Sequence, residues 1–335
     1  MKKRIEFIDL AKGICILLVV QIHVYGDTSY TFFNAMTIFR MPLYFFLSGI
    51  FFKTYDCFFI FIRKKINRLI IPFVFFYIFS IMPLHITFDY ILPQKTINLQ
   101  DLFLSDYGRL FHRYNGAVWF LVSLFITNIY FYSIHYICSK KNTQIALLSI
   151  ICGLGGYYMN YKDFYLPLWM DTSLTSLPFF AFGYILKSQT EFLSSSFTKS
   201  HYVYLLASLI VVSVITILSY NSNTLIIEYD PNIYKINFHF LYIGGLAGIM
   251  TILILSKRLK HVYLISYLGR YSIVVLCTHL IYILILRSLL FKFGIPQENG
   301  IVNTSIYIFI IIISIPTIKY GIMYMPRIFA QKDLW

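Results

Sequence analysis

Charge is scarce in this 335-residue sequence. Asp, Glu, Lys and Arg together make up 13%, against about 25% in an ordinary soluble domain. Acid is the scarcer sign, with 14 Asp and Glu beside 28 Lys and Arg. Cysteine is rare as well. Cys15, Cys57, Cys138, Cys152 and Cys277 form no CxxC and no paired spacing, which argues against a disulfide scaffold or a thiolate metal site and leaves packing as their role. Repeats and low-complexity tracts are absent too, and no appended soluble domain is expected. What remains is apolar: 59% of residues are hydrophobic, 19% aromatic, and the mean hydropathy is +0.71. A soluble fold of this size could not bury that much apolar surface. The composition excludes a soluble enzyme and a disordered chain, and it points to an all-α polytopic membrane protein forming a single domain over 1–335.

A helix needs about 20 apolar residues to cross the hydrocarbon core. Ten segments qualify, at about 8–26, 36–53, 69–88, 117–138, 143–161, 172–188, 202–220, 237–256, 263–286 and 301–325. Lys2-Lys3-Arg4 before the first apolar run resembles a signal peptide, but no small-x-small cleavage site follows Val20 and Asp9 and Lys12 interrupt the run. A retained first helix is expected. The stretch 57–68, CFFIFIRKKINR, is aromatic on one side and basic on the other, as an interfacial helix would be,. A second amphipathic helix is expected in the long connection 89–116, at DLFLSDYGRLF.

The net charge of +14 is better read as topology than as affinity for nucleic acid. With the N-terminus inside, seventeen of the 28 basic residues fall in cytoplasmic segments. Six fall outside: Lys95, Arg109, Arg113, Lys162, Lys235 and Lys292. That excess follows the positive-inside rule and places both termini in the cytoplasm. Lys12, Arg40, Arg270, Arg287 and Lys319 are left within the membrane, where ionisable groups are costly and usually functional. With Asp9 and His23 they are the candidate functional groups, although Arg287 and Lys319 also suit snorkelling or structural pairing. The outer loops carry nine acids, among them Asp27, Asp163 and Asp171.

Lys12 and His23 are eleven residues apart, close to three helical turns, and so share one face at a separation of about 16 Å. A cation near the cytoplasmic entrance and a titratable imidazole deeper in suit a ligand with an anionic head and an extended arm, a shape that coenzyme A has. His is also the side chain best placed to take a proton near neutral pH. A packing His with a snorkelling Lys reads the same two residues equally well.

RIEFIDLAKGICILLVVQIHVYG at 4–26 resembles the opening motif of the membrane acyltransferase 3 family, in which a basic residue, ten residues and a His recur on the first helix. FRMPLYFFLSGIFF at 39–52 is similar to the family's second-helix signature, and KKINRLIIPF at 64–73 to its basic pair three apart, here Lys65 and Arg68. Weaker likenesses are AVWFLVSLF, LPFFAFGYIL and LGRYSIVVLCTHLIY. The nearest likeness within the family is to fucose 4-O-acetylase-like sugar O-acetyltransferases.

The resemblance implies a multi-pass enzyme of the bacterial cytoplasmic membrane that moves acetyl from cytoplasmic acetyl-CoA, as co-substrate, to a carbohydrate hydroxyl on a cell-surface or lipid-linked glycan. It implies no metal and no nucleic-acid partner, and it leaves the oligomeric state open. Lys12, Lys65 and Arg68 would hold the coenzyme A phosphates, while Arg63 and Lys64 would attract phosphate or anionic lipid. His23 would be the general base or a transient acetyl carrier, with Asp27 one turn on to orient it. Arg40, where many members have His, would lie at the depth of His23 and stabilise the oxyanion or grip the acceptor. Trp119 would stack on the sugar, His279 would be a polar packing residue, and Ser48-Gly49 would let two helices approach closely. Many members carry a further extracytoplasmic domain; without it this chain would act alone. A transporter or flippase for lipid-linked sugars is the main rival, but it would often show broken helices in two related halves, and no internal symmetry is visible. A non-catalytic receptor or assembly subunit would have no evident use for Lys12 with His23.

Overall fold

The computed structural model describes residues 5–26, 37–55, 57–91, 115–188, 197–221, 238–296 and 299–334, and every element among them is helical. In chain order they are α1 (Glu6–Tyr25), α2 (Thr37–Ile50), α3 (Phe58–Lys65), α4 (Ile71–Ile91), α5 (Trp119–Ile137), α6 (Asn142–Tyr161), α7 (Met170–Ser188), α8 (Lys199–Asn221), α9 (Gly245–Leu259), α10 (Tyr263–Arg270), α11 (Ser272–Lys292) and α12 (Gly300–Tyr324). The second amphipathic helix expected at DLFLSDYGRLF lies outside the described residues.

Six described helices are long and apolar enough to cross a membrane, and Ile38–Ile50 is a shorter apolar one. A helix stands at each of the ten expected segments, but α4, α6 and α7 are not among those six. Ser149 and Asn160 of α6, and Asp171, Thr172 and Ser173 of α7, are buried polar residues that dilute the runs. The protein is thus a multi-pass membrane protein, all-helical among the described residues.

Two expected elements differ in detail. The segment 57–68 is not a separate helix, because α3 runs through a π-turn, Ile66–Ile70, directly into α4. Pro72 accounts for the turn: it lacks an N–H and its ring crowds the carbonyl of Arg68, so the helix widens to accommodate it. The ninth expected span breaks at Tyr271 into the short α10 and the 21-residue α11.

The first helix is the core of the bundle. Leu10, Ala11, Cys15, Ile16, Val19 and Val20 are all buried, and α2, α9, α10, α11 and α12 pack around them. The crossing with α10 is made backbone to backbone. A Cβ on Gly269 would fall 1.9 Å from the Asp9 carbonyl oxygen, and one on Gly13 would fall 2.0 Å from that of Ile265. The same device joins α2 to α7. A Cβ on Gly49 would meet the Phe180 oxygen at 1.9 Å, and one on Gly183 would meet the Phe46 oxygen at 1.9 Å. The close approach expected of Ser48-Gly49 is therefore present.

On α6, Ile145, Ser149, Gly153, Gly156 and Asn160 form one buried stripe, and Gly153 and Gly156 fit against Pro178 and Asp171 of α7. In contrast, α8 turns Val203, Leu206, Ile210 and Ile217 outward, as a lipid-facing helix does. Cys15, Cys138 and Cys277 are buried as packing residues, whereas Cys57 is exposed.

Candidate active site

Lys12 sits half-buried two turns into α1. Its carbonyl accepts a hydrogen bond from the Tyr44 hydroxyl at 3.0 Å, and its Nζ lies 5.2 Å from the centre of the Phe51 ring. Beside it is a cavity of about 150 Å³ lined by Lys12, Tyr44, Ser48, Leu69, Ser272 and Leu276, among others. The elements that meet here are α1, α2, α5, α11 and the π-turn, so Lys12 opens onto a space where five elements converge.

The basic cluster lies one turn from that space. Leu69, which lines the cavity, follows Lys65 by one turn. Lys65 is half-buried, with its Nζ 5.4 Å from the centre of the Phe61 ring. Burial, with Arg68 adding a like charge, pushes the Lys65 ammonium down to about 8,. Lys64 lies 4.8 Å from the Tyr55 ring, and Arg63 and Arg68 are exposed. Asn67, also in the π-turn, accepts the Leu334 N–H, which places the end of the described chain beside this cluster.

At the other end of α1, the His23 ring is half-buried and lies 5.1 Å, centre to centre, from the ring of His279. Leu276, at the Lys12 cavity, is one turn before His279 on α11. This end of α1 is clamped. Arg287 Nη2 donates to the Val24 carbonyl at 2.5 Å and to Asn303 Oδ1 at 3.1 Å. Tyr25 shares a 2.9 Å hydrogen bond with Thr304. Arg287 therefore ties three helices together rather than snorkelling.

Arg40 stands lower than the sequence suggests. It is buried, and its carbonyl accepts the Cys15 thiol at 2.9 Å, level with Cys15 and not with His23. Eight residues separate those levels, or about 12 Å of helix. Asp27 lies outside the described residues. Trp119 is buried at the start of α5, 6.2 Å from the ring of Trp169 at 34°.

Arg270 and Lys319, expected within the membrane, are exposed. Arg270 shares a cavity with Glu6, Asp9 and Tyr267. Asp171, expected in an outer loop, is fully buried in the first turn of α7. An acid placed there meets the positive end of the helix. Two contacts had no signal in sequence spacing: that of Tyr44, seen only as an aromatic inside the second-helix signature, with the Lys12 carbonyl, and that of His279 with His23.

A bundle of apolar helices with an imidazole and a cation along its central helix is compatible with group transfer inside a membrane. Residues 5–319 match the family model described as an acyltransferase domain. The chain belongs to that family, acyltransferase 3, and is an acyltransferase. No curated protein and no solved structure matches it.

Proposed function

We propose that this acyltransferase moves an acetyl group from acetyl-CoA to a hydroxyl of a cell-surface or lipid-linked glycan, in the manner of fucose 4-O-acetylase-like enzymes. It does so as a single domain of about ten spans in the bacterial cytoplasmic membrane, with both termini inside. Lys12, Lys65 and Arg68 hold the coenzyme A phosphates. Arg63 and Lys64 add long-range attraction to phosphate or anionic lipid. The acetylated arm runs past Lys12 and along α11 towards His23. One observation carries this reading: the cavity at Lys12 is bounded by Leu69, one turn from Lys65, and by Leu276, one turn from His279, whose ring stands 5.1 Å from that of His23.

At His23 the hydroxyl oxygen attacks the thioester carbonyl while the imidazole takes the hydroxyl proton. The C–O bond forms, the tetrahedral oxyanion collapses, the C–S bond breaks and the proton passes to the coenzyme A sulfur. In the carrier variant His23 itself attacks first, the C–S bond breaks and coenzyme A leaves as the thiol with the imidazole N–H proton; the hydroxyl then takes the acetyl group and returns its proton to the imidazole. Arg40 supplies positive charge along the path between Lys12 and His23, where it stabilises developing oxyanion charge or grips the acceptor. Trp119 offers an aromatic face to the sugar, and Asp27 orients His23.

The test is transfer of labelled acetyl from acetyl-CoA to a panel of methyl glycosides by the purified full chain. His23→Ala should lower transfer by about 10²–10⁴-fold while the variant still inserts and folds. Transfer near the wild-type rate overturns the role of His23.

A further inference from the structure

Buried nitrogens nearly always have a hydrogen-bond partner. His279 Nε2 is an exception: the residue is completely buried, and no partner reaches that atom among the described residues. The opposite nitrogen is committed. Nδ1 lies 2.9 Å from the carbonyl oxygen of Val275, which only accepts, so Nδ1 carries the hydrogen. In the neutral ring Nε2 then presents a lone pair.

The nearby donors are engaged elsewhere. Asn115 donates to the Cys277 carbonyl and to Ser80, and Thr278 donates to the Val274 carbonyl. Arg287 donates to Val24 and Asn303. The ring that stands against His279 is that of His23, tilted by 44° at 5.1 Å. At that separation, nitrogens on the facing edges of the two rings would come within hydrogen-bond range of each other,.

We propose that His279 is the positioning partner of His23, its Nε2 accepting the His23 N–H so that the other His23 nitrogen faces the acceptor hydroxyl. The inference rests on the reading of His23 as the transferring imidazole. It places a neutral histidine where the Ser-His-Asp arrangement uses a carboxylate to fix the tautomer and orientation of its base. When His23 takes the hydroxyl proton on its other nitrogen, the N–H facing His279 tightens and the lone pair of Nε2 stabilises the positive charge. Nothing further is consumed, because the transferred proton leaves on the coenzyme A thiol. A carboxylate in this apolar layer would have to be buried as a charge, whereas a neutral imidazole does not.

The test compares two substitutions in the purified full chain, using acetyl-CoA and the methyl glycoside that wild-type protein turns over fastest. His279→Phe keeps a ring and removes the lone pair. His279→Gln keeps an acceptor near the place of Nε2. His279→Phe should lower kcat about 30-fold or more with KM for acetyl-CoA within about twofold, and His279→Gln should recover to within about fivefold of wild type. Wild-type kcat in His279→Phe, or equal losses in both variants, makes His279 a packing residue and overturns the proposal. If His279→Phe does not fold in detergent, His279→Asn replaces it: a residue whose amide stops one bond short should be impaired where Gln is active, and equal activity overturns the proposal. His23→Ala run alongside separates the two failures. Full transfer without His23 removes the imidazole chemistry itself, whereas an inactive His23→Ala beside a fully active His279→Phe removes only the partnership.

Discussion

Lys65 combines a charge with a pKa that lies in reach of ordinary buffers. Partial burial and the neighbouring Arg68 push it to about 8. Its charge is therefore held below that value and lost as pH rises through it. Coenzyme A phosphates are already ionised at pH 7, since their second ionisation lies near 6, so any change above pH 7 belongs to the protein. Acetyl-CoA should bind about tenfold more weakly at pH 9 than at pH 7, the worth of one charge-assisted contact. Lys65→Arg, which cannot lose its charge in that range, should flatten the dependence. Titration calorimetry at the two pH values checks this, and equal slopes in the two proteins would remove Lys65 from the donor site. The pairing of Lys12 with His23 on one face was legible because eleven residues make three turns. His279, Trp169 and Asp171 were not, since a single polar residue in or beside an apolar run has no period and its neighbours come from distant segments. The level of Arg40 depended on its pairing with Cys15 across two helices, which an apolar run does not mark.

Helix contacts depend on residues that have no side chain to offer. Where α1 crosses α10, a methyl group on Gly269 would press on the Asp9 carbonyl at 1.9 Å and the Gly13 nitrogen at 2.3 Å, both of them backbone atoms that cannot swing away. Overpacking of this kind costs about 1–3 kcal/mol or more. Gly269→Ala should lower the melting temperature of the detergent-solubilised protein and reduce transfer with it. Gly155→Ala, in open space on α6, is the matched control and should leave melting unchanged. Equal melting of the two variants would contradict the close packing. The helices themselves were legible from apolar length alone, since a long run has few other ways to satisfy its backbone in lipid. Their breaks were harder to read. The junction at Tyr271 follows from how Gly269 seats α10 on α1, a tertiary cause. The π-turn follows Pro72, but a proline signals a disturbed helix without saying that the disturbance is one wide turn.

Across the molecule, α6 offers a clean test of orientation. Its 20 residues measure about 30 Å, the thickness of a hydrocarbon core. Lys141 stands before it, and Lys162 after it lies 5.8 and 5.7 Å from the rings of Tyr158 and Tyr161, an arrangement typical of a membrane interface. In a Cys57→Ser background, Lys162→Cys should react with an impermeant maleimide on intact cells and Lys141→Cys should not. The reverse pattern would invert the whole topology, and with it the side from which acetyl-CoA enters. Helical content and the membrane class were legible from composition, because the apolar fraction left no soluble alternative; the order of packing around α1 was not, because pairings between helices leave no trace in hydropathy.

The π-turn at Ile66–Ile70 acts as an angular offset. Each residue added to a helix advances it by about 100° about its axis, so the wide turn sets how α3 and its cations are clocked against α4. A deletion of one residue there would keep every charge, every apolar run and the predicted topology. It would also swing Lys64 and Lys65 about a quarter turn from their present bearing relative to α4. The compass direction of the cationic cluster is thus written in the pitch of five residues, and no count of residues or charges would register its loss.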